Sequence, residues 1–233
     1  MNRRNFLKYS VIFGASLILP LPSFSQEVSK KKIFLTIDDG PRKSHREILS
    51  QLEGKGLATF FMNGCHMEKN LNLVVETIER GHDIGNHTYS HPRFSFTSLD
   101  NAKREIERTE SLIEKAYTLA GINDPRLFRF PFGDAGTDLD KSPKNVEKKR
   151  KIEKFLEEKG YQTFRWDLDI EDWRFYDSKN PLCLQDILQN AKRVTEGEIV
   201  LAHDLDITAR RVLPIFTCND RYGLYLLKDK TLD

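Results

Sequence analysis

Two carboxylates, Asp38 and Asp39, end an apolar run at Ile33–Ile37 and are followed by Gly40-Pro41. Two imidazoles, His87 and His91, stand four apart in His87-Thr88-Tyr89-Ser90-His91-Pro92. Such a set can hold one divalent cation and still leave a carboxylate free to take a proton from water. On an extended strand, residues four apart lie about 13 Å from each other. One ion holds each ligand at about 2.0–2.1 Å. Residues 87–91 are therefore expected to turn, or to complete one helical turn in which i and i+4 share a face. Pro92 disfavours helical geometry at His91 and ends that turn. Neighbours on a strand point to opposite faces, so the backbone is expected to leave its extended path at Asp38-Asp39, with Gly40-Pro41 permitting the turn.

The elements that must position these groups alternate along the chain. Apolar runs fall at Ile33–Ile37, Leu57–Met62, Asp83–Asn86, Leu127–Phe132, Tyr161–Leu168, Ile199–Ala202 and Gly223–Leu227. Helical patterns lie between them at His45–Glu53, Leu71–Arg80, Leu99–Ala120, Asn145–Lys159 and Leu184–Thr195. The longest has Thr97-Ser98 before it as caps and Gly121 after it. Strand and helix in alternation indicate an α/β fold, a parallel sheet with helices outside it, open or closed into a barrel. Lys141–Lys159 is rich in lysine, but Glu147, Glu153, Glu157 and Glu158 interleave with it and Ile152, Phe155 and Leu156 form a stripe. It reads as a solvated helix face rather than a basic binding patch. Asp134–Lys144 is polar and reads as a surface loop.

Chemistry-bearing residues recur at the ends of the apolar runs: Asp38-Asp39, His87 and His91, Arg129 with Pro131-Phe132, Asp169 with Asp172, and His203-Asp204. In parallel α/β folds the carboxyl ends of the strands converge on one face, where ligands bind. Each group alone has a bland explanation. Asp-Asp-Gly-Pro is a good turn, a histidine pair is often structural, Arg129 can neutralise a buried carboxylate, and His203 can be a satisfied core histidine. Their joint placement at strand ends favours one cleft.

The five segments resemble, in order, the motifs of the polysaccharide deacetylases, the NodB-homology or carbohydrate esterase family 4 enzymes. Thr36-Ile37-Asp38-Asp39-Gly40 is similar to their first motif and His87–Pro92 to their second. Arg129-Phe130-Pro131-Phe132 resembles the third, Asp169-Ile170-Glu171-Asp172-Trp173 the fourth and Leu201-Ala202-His203 the fifth. Ile37 and Phe132 stand where the family usually has phenylalanine and tyrosine. The resemblance implies an irregular (β/α) barrel of about seven repeats. It implies one metal, preferably Zn²⁺ with Co²⁺, Fe²⁺ or Ni²⁺ as alternatives, on Asp39, His87 and His91. By the same resemblance Asp38 is the general base, Arg129 its orienting partner, and His203 the general acid, with Asp169 favouring its charged form. The backbone N–H of Phe132 is the oxyanion donor, and Trp173 and Leu201 wall the pocket for the acetyl methyl group. The departure lies after His203, where no clear helix and final strand are legible and Ile207–Phe216 is short for a helix.

Residues 1–25 read as a signal peptide. Arg3, Arg4 and Lys8 precede an apolar stretch at Val11–Leu21 that is too short to span a bilayer, and Ser23-Phe24-Ser25 offers small residues for cleavage. Asn2–Lys8 also resembles a twin-arginine signal, implying periplasmic or secreted placement. Its removal would take the formal charge from +2 to −1, because three of the 37 Lys+Arg and none of the 35 Asp+Glu lie there. No basic excess then argues for nucleic acid. Residues 26–233 fit a single catalytic domain without a stable membrane span. Cys65, Cys183 and Cys218 match no zinc spacing and form no disulfide framework; either one pair bridges or all three are mostly buried thiols. The expected activity is hydrolysis of N-acetyl groups on an aminosugar polymer, peptidoglycan or chitin-like. The rivals are O-acetyl ester hydrolysis on a xylan-like polysaccharide, hydrolysis of a small amide, and non-catalytic glycan binding.

Overall fold

The computed structural model describes residues 30–218 and 220–230; the expected signal peptide at 1–25 lies outside them. All strand pairings among the described residues are parallel. β1 (Lys31–Gly40) runs through the middle of the sheet, beside β2 (Thr59–Met62) on one side and β7 (Ile199–His203) on the other. Beyond β2 follow β3 (Asp83–Asn86), β4 (Leu127–Phe128) and β5 (Gln162–Thr163). Beyond β7 lies β6 (Leu168–Asp169). β5 and β6 are the two edges, so the sheet curls into a half-barrel that stays open between them. The expected α/β barrel is thus an incomplete one.

The helices cover the outside: α1 (His45–Leu52), the four-residue α2 (Gly64–Met67), α3 (Leu71–Glu79), α4 (Leu99–Ala120), α5 (Pro143–Glu158), α6 (Leu184–Lys192) and α7 (Leu213–Thr217). α4 has the expected caps. Ser98 Oγ accepts from the N–H of Asn101, and Gly121 closes the helix in the left-handed conformation at φ 68°. In α5, Ile152 and Leu156 are buried while the lysines and glutamates stay outside, as a solvated face requires.

β1 is buried on both sides, as strands of a covered parallel sheet are. Ile33, Leu35 and Ile37 pack with Phe60, Met62, Val200 and Ala202 beneath Ile48, Val74, Ile78, Leu213 and Phe216 of the helices. The alternate residues turn into the curl. Phe34 packs there with Phe61, Leu127, Phe164 and Ile199. Thr36 and Asp38 follow on the same face and are polar yet buried. The interior of the curl therefore changes from apolar to polar toward the carboxyl ends of the strands.

Two regions differ from the sequence reading. The run Tyr161–Leu168 is not one strand; it splits into β5 and β6, at opposite edges of the sheet. The intervening carbonyls are taken by a side chain rather than by a strand: Arg129 Nε donates to Phe164 O at 3.3 Å and Nη2 to Arg165 O at 3.0 Å. After His203 there is a helix after all. Thr208–Val212 winds as a π-helix and runs into α7. Pro214 lacks an N–H and would clash with the carbonyl four residues back in a regular α-helix. The wider turn before it accommodates that, and it also hides the usual periodicity from a sequence reading. β8 (Tyr222–Leu224) then pairs with Lys31–Ile33 at the start of β1.

The thiols match neither expectation. All three are free, with Cys65 half-buried and Cys183 and Cys218 exposed.

Candidate active site

β1 carries both carboxylates to the cleft because it bulges. Asp38 pairs with Phe61 and Gly40 with Met62, so Asp39 is the extra residue on its strand, in the left-handed region at φ 70°. The break in the extended path falls at Asp39, within the Asp38-Asp39 pair where the sequence places it. It removes the alternation that would send the two side chains to opposite faces. Residues 87–91 form a turn rather than a helical turn, with Thr88 and His91 at φ 65° and 60°. Phe132 (φ 58°) and Glu171 (φ 60°) are left-handed too. Of the six non-glycine residues with positive φ among those described, only Arg126 lies outside the five motifs. Each such conformation costs roughly 1–3 kcal/mol and persists only where the surroundings over-determine it.

Those turns bring three ligand atoms together. His87 Nε2 and His91 Nε2 are 3.2 Å apart. Asp39 Oδ1 lies 3.3 Å from His91 Nε2 and 3.7 Å from His87 Nε2. Tetrahedral ligands about 2.0–2.1 Å from one zinc ion are separated by about 3.4 Å, so the spacing fits a single cation. His87 Nδ1 lies 2.8 Å from the carbonyl of Arg129, to which it can only donate, and its Nε2 therefore presents a lone pair. Burial pushes His91 down to about 4, with the neighbouring His87 adding to it, and leaves that ring neutral and able to ligate. Burial would raise Asp39, but His91, His87, His203 and Arg42 outweigh it and hold the carboxyl at about 2. Asn63 Nδ2 donates to Asp39 Oδ1 at 3.3 Å, and His66 Nδ1 lies 3.0 Å from the Asp39 carbonyl.

Asp38 stands beside this set. Its Oδ2 is 3.5 Å from His87 Nε2, and its Oδ1 accepts from Arg129 Nη1 at 2.9 Å. Arg129 is fully buried. The same Nη1 donates to Thr36 Oγ at 2.7 Å, and the guanidinium lies 4.2 Å from the Phe61 ring centre. Burial drives the arginine down from its ordinary value, with Asp38 opposing.

His203 enters from the end of β7. Its Nδ1 bonds a carboxylate at 2.7 Å, but that carboxylate is Asp172, not the expected Asp169. Asp172 is completely buried and accepts further bonds from the N–H groups of His203 and Trp173 and from Thr208 Oγ. Asp169 lines the cleft and accepts from the N–H of Glu171 at 2.7 Å. The left-handed turn at Glu171 carries Asp172 beneath His203 and leaves Asp169 beside it. Burial alone would lower His203; Asp172, with smaller help from Asp39 and Asp38, lifts it to about 9. Burial raises Asp169.

The cleft around these groups has a volume of about 470 Å³ and includes Phe132, Trp166, Trp173 and Leu201 in its wall. The Phe132 ring lies 4.4 Å from that of His91 and 4.0 Å from the Arg93 guanidinium. The structure therefore brings together all ten expected site residues, with Asp169 in a different relation to His203. The sequence reading missed the support given by Asp172, Asn63 and Asp204. The order of the motifs contained Asp172; nothing in spacing separated its role from that of Asp169.

A carboxylate and two imidazoles converging beside a second, arginine-bound carboxylate and a charged histidine define a metallohydrolase-like centre on a curled α/β sheet. The chain belongs to the polysaccharide deacetylase family, whose model matches residues 25–151. A peptidoglycan-N-acetylglucosamine deacetylase of Bacillus cereus is 32% identical over 180 residues, 76% of this chain and 74% of that protein. The peptidoglycan-N-acetylmuramic acid deacetylase PdaC of Bacillus subtilis is 30% identical over 179 residues, 76% of this chain and 33% of its own length. Its solved structure has a TM-score of 0.67 at 26% identity, covering 85% of this chain and 88% of that one. A family 4 carbohydrate esterase from Streptomyces lividans, solved in complex with acetate, gives 0.64 at 28% identity, over 81% of this chain and 86% of that one. The chain spans between a third and a half of the length of several curated relatives it matches. No helix among the described residues is long and apolar enough to cross a membrane.

Proposed function

We propose that this chain is a divalent-metal-dependent hydrolase that removes N-acetyl groups from an aminosugar polymer outside the cytoplasm, peptidoglycan being the substrate class. The observation that carries the reading is the convergence of Asp39, His87 and His91 within 4.8 Å of one another, beside an unligated Asp38. Two of the relatives above carry names that specify peptidoglycan aminosugars. The basic and apolar start at residues 1–25 supports an export leader.

Asp39, His87 and His91 would hold the ion, for which Zn²⁺ suits the nitrogen-rich donor set. When bound, it supplies Lewis acidity, making water a better nucleophile and polarising the acetyl carbonyl. Asp38 takes the proton from the attacking water through Oδ2, while Arg129 grips Oδ1 and prevents the carboxylate from rotating into the ligand set. His203, imidazolium at neutral pH because Asp172 holds Nδ1–H, keeps Nε2–H for the leaving nitrogen. An amine departs only after protonation, so this acid suits amide more than ester cleavage. The left-handed turn at Phe132 supports the oxyanion role of its N–H, and Leu201 with Trp173 offers an apolar seat for the methyl group.

Acetate release from peptidoglycan, chitooligosaccharide and acetylated xylan by the metal-loaded protein tests the reading. Release from the first, absent in Asp38→Asn, is expected. Release from acetylated xylan alone would instead identify an O-acetyl esterase.

A further inference from the structure

The cleft does not end at the ligand set. A second cavity of about 500 Å³ opens on the other side of Asp39 and His203, and Trp173 belongs to both. The far cavity is walled by Trp173 and Tyr176, which stay 43% and 56% exposed, and by Arg42 and Lys43. Exposed aromatic faces beside a polar groove suit sugar rings, which present apolar C–H faces and polar edges. The two cavities share Asp39, Trp173 and His203, so a glycan chain long enough to pass the ligand set could occupy both.

The charge of the far seat is uneven. Arg42 bonds Asp39 Oδ2 at 3.2 Å and stays 40% exposed at its side chain. Lys43 is exposed and forms no ion pair among the described residues. Asp204 faces the same cavity but is fully buried, with Oδ2 taken by His45 and Arg42 N and Oδ1 by Ser44. Asp206 is the remaining exposed carboxylate, and it lies in the field of Arg210. A cation held by Asp39 would offset the charge of Arg42's partner and make the Arg42–Lys43 side more positive. A neutral homopolymer offers this rim hydrogen-bond acceptors but no opposite charge.

We propose that the Arg42–Lys43 rim is a subsite for a carboxylate carried by the sugar next to the one being deacetylated, namely the free 3-O-lactyl carboxylate of an N-acetylmuramic acid residue that bears no peptide stem. The acetyl group removed then belongs to the adjoining N-acetylglucosamine. The inference rests on the deacetylase reading above but concerns recognition rather than chemistry.

Two tetrasaccharides of equal length separate it from that reading: chitotetraose, and a peptide-free strand alternating N-acetylglucosamine and N-acetylmuramic acid. The metal-loaded protein is expected to prefer the acidic strand in kcat/KM and in calorimetric affinity. Lys43→Gln should reduce that preference about two- to fivefold and Lys43→Glu more, as exposed ion pairs allow. Raising the salt from about 0.05 to about 0.5 M should reduce it likewise. Equal affinities for the two strands, or a preference unmoved by both Lys43 variants, would overturn the subsite even where acetate is released. Preference confined to strands that retain their peptide stems would also overturn it, since the carboxylate would then come from the peptide. Affinity for the acidic strand that depends on Lys43, with no acetate released, would sink the deacetylase reading and leave the subsite standing.

Discussion

Two acids on adjacent positions have different partners, and the proposed mechanism gives them different work for that reason. Asp39 faces two imidazole nitrogens, whereas Asp38 is tied to Arg129. Asp38→Asn should keep one bound cation per chain and lose at least about a hundredfold in turnover, the usual scale of a lost general base. Metal content and acetate release measured on the same preparation check this. On the proposed mechanism, His203 is expected to carry the alkaline pH dependence. It is lifted to about 9 by Asp172, so imidazolium is present below that value and is lost as pH rises through it. Activity should decline along that alkaline limb, with a midpoint no higher than about 9, because a bound cation opposes the charged ring. Asp172→Asn should move the limb to lower pH more than Asp169→Asn does, and an alkaline limb that survives in His203→Ala would remove the general-acid role. The same pair is linked to stability: its contribution is full below about 6.5 and fades as pH approaches 9.

At the level of elements, the turn after β1 is held from beneath by β7. Asp204 follows His203 in sequence, and its N–H donates to the carbonyl of Asp38 at 2.9 Å. Its carboxylate gathers Arg42 N, Ser44 Oγ and His45 Nδ1, all on the segment that follows Asp39. His45 passes the chain of bonds on to Thr77 of α3 at 2.9 Å. Burial would raise Asp204, but His45, Ser44 and Arg42 N hold it below the ordinary carboxylate value. Its stabilisation is thus complete above about pH 4 and lost as pH falls through the depressed value. Asp204→Ala strands a buried imidazole and is expected to cost about 3–5 kcal/mol, measured by urea unfolding. A loss below about 1 kcal/mol would mean that the turn is held by other contacts. The strand ends and the long helix α4 were legible in the sequence, since alternation, caps and Gly121 are local signals. A break at Asp38-Asp39 and a turn over 87–91 were legible too, but the left-handed conformations of Asp39, Thr88, His91 and Glu171 were not. Nothing in Asp39, Thr88 or His91 favours positive φ as glycine would; long-range packing imposes it.

For the whole molecule, a half-barrel must close its open side by some means other than strand pairing. Arg129 does so, bonding the carbonyls between the two edge strands while gripping Asp38. On the proposed mechanism, one residue would join stability to catalysis. Arg129→Met should lower the unfolding free energy by about 3–5 kcal/mol as well as slow turnover, because it leaves Asp38 buried and unpaired. Interior packing has a separate probe in Gly85, where an added Cβ would meet the Phe61 ring at 2.5 Å and the Leu127 carbonyl at 3.1 Å. Gly85→Ala is expected to destabilise by about 1–3 kcal/mol, read as a lower melting temperature. The sequence indicated a sheet with convergent strand ends but not which strands would be edges. Tyr161–Leu168 looks like one apolar run, and its division depends on an arginine 35 residues away in sequence from Phe164.

The central claim is that Asp39, His87 and His91 share one catalytic cation. It is tested most directly by assaying acetate release from peptidoglycan after exhaustive chelation and again after titration with Zn²⁺. Activity should vanish, return fully at one equivalent per chain, and fail to return in His91→Ala. Undiminished turnover by the chelated protein would contradict the account.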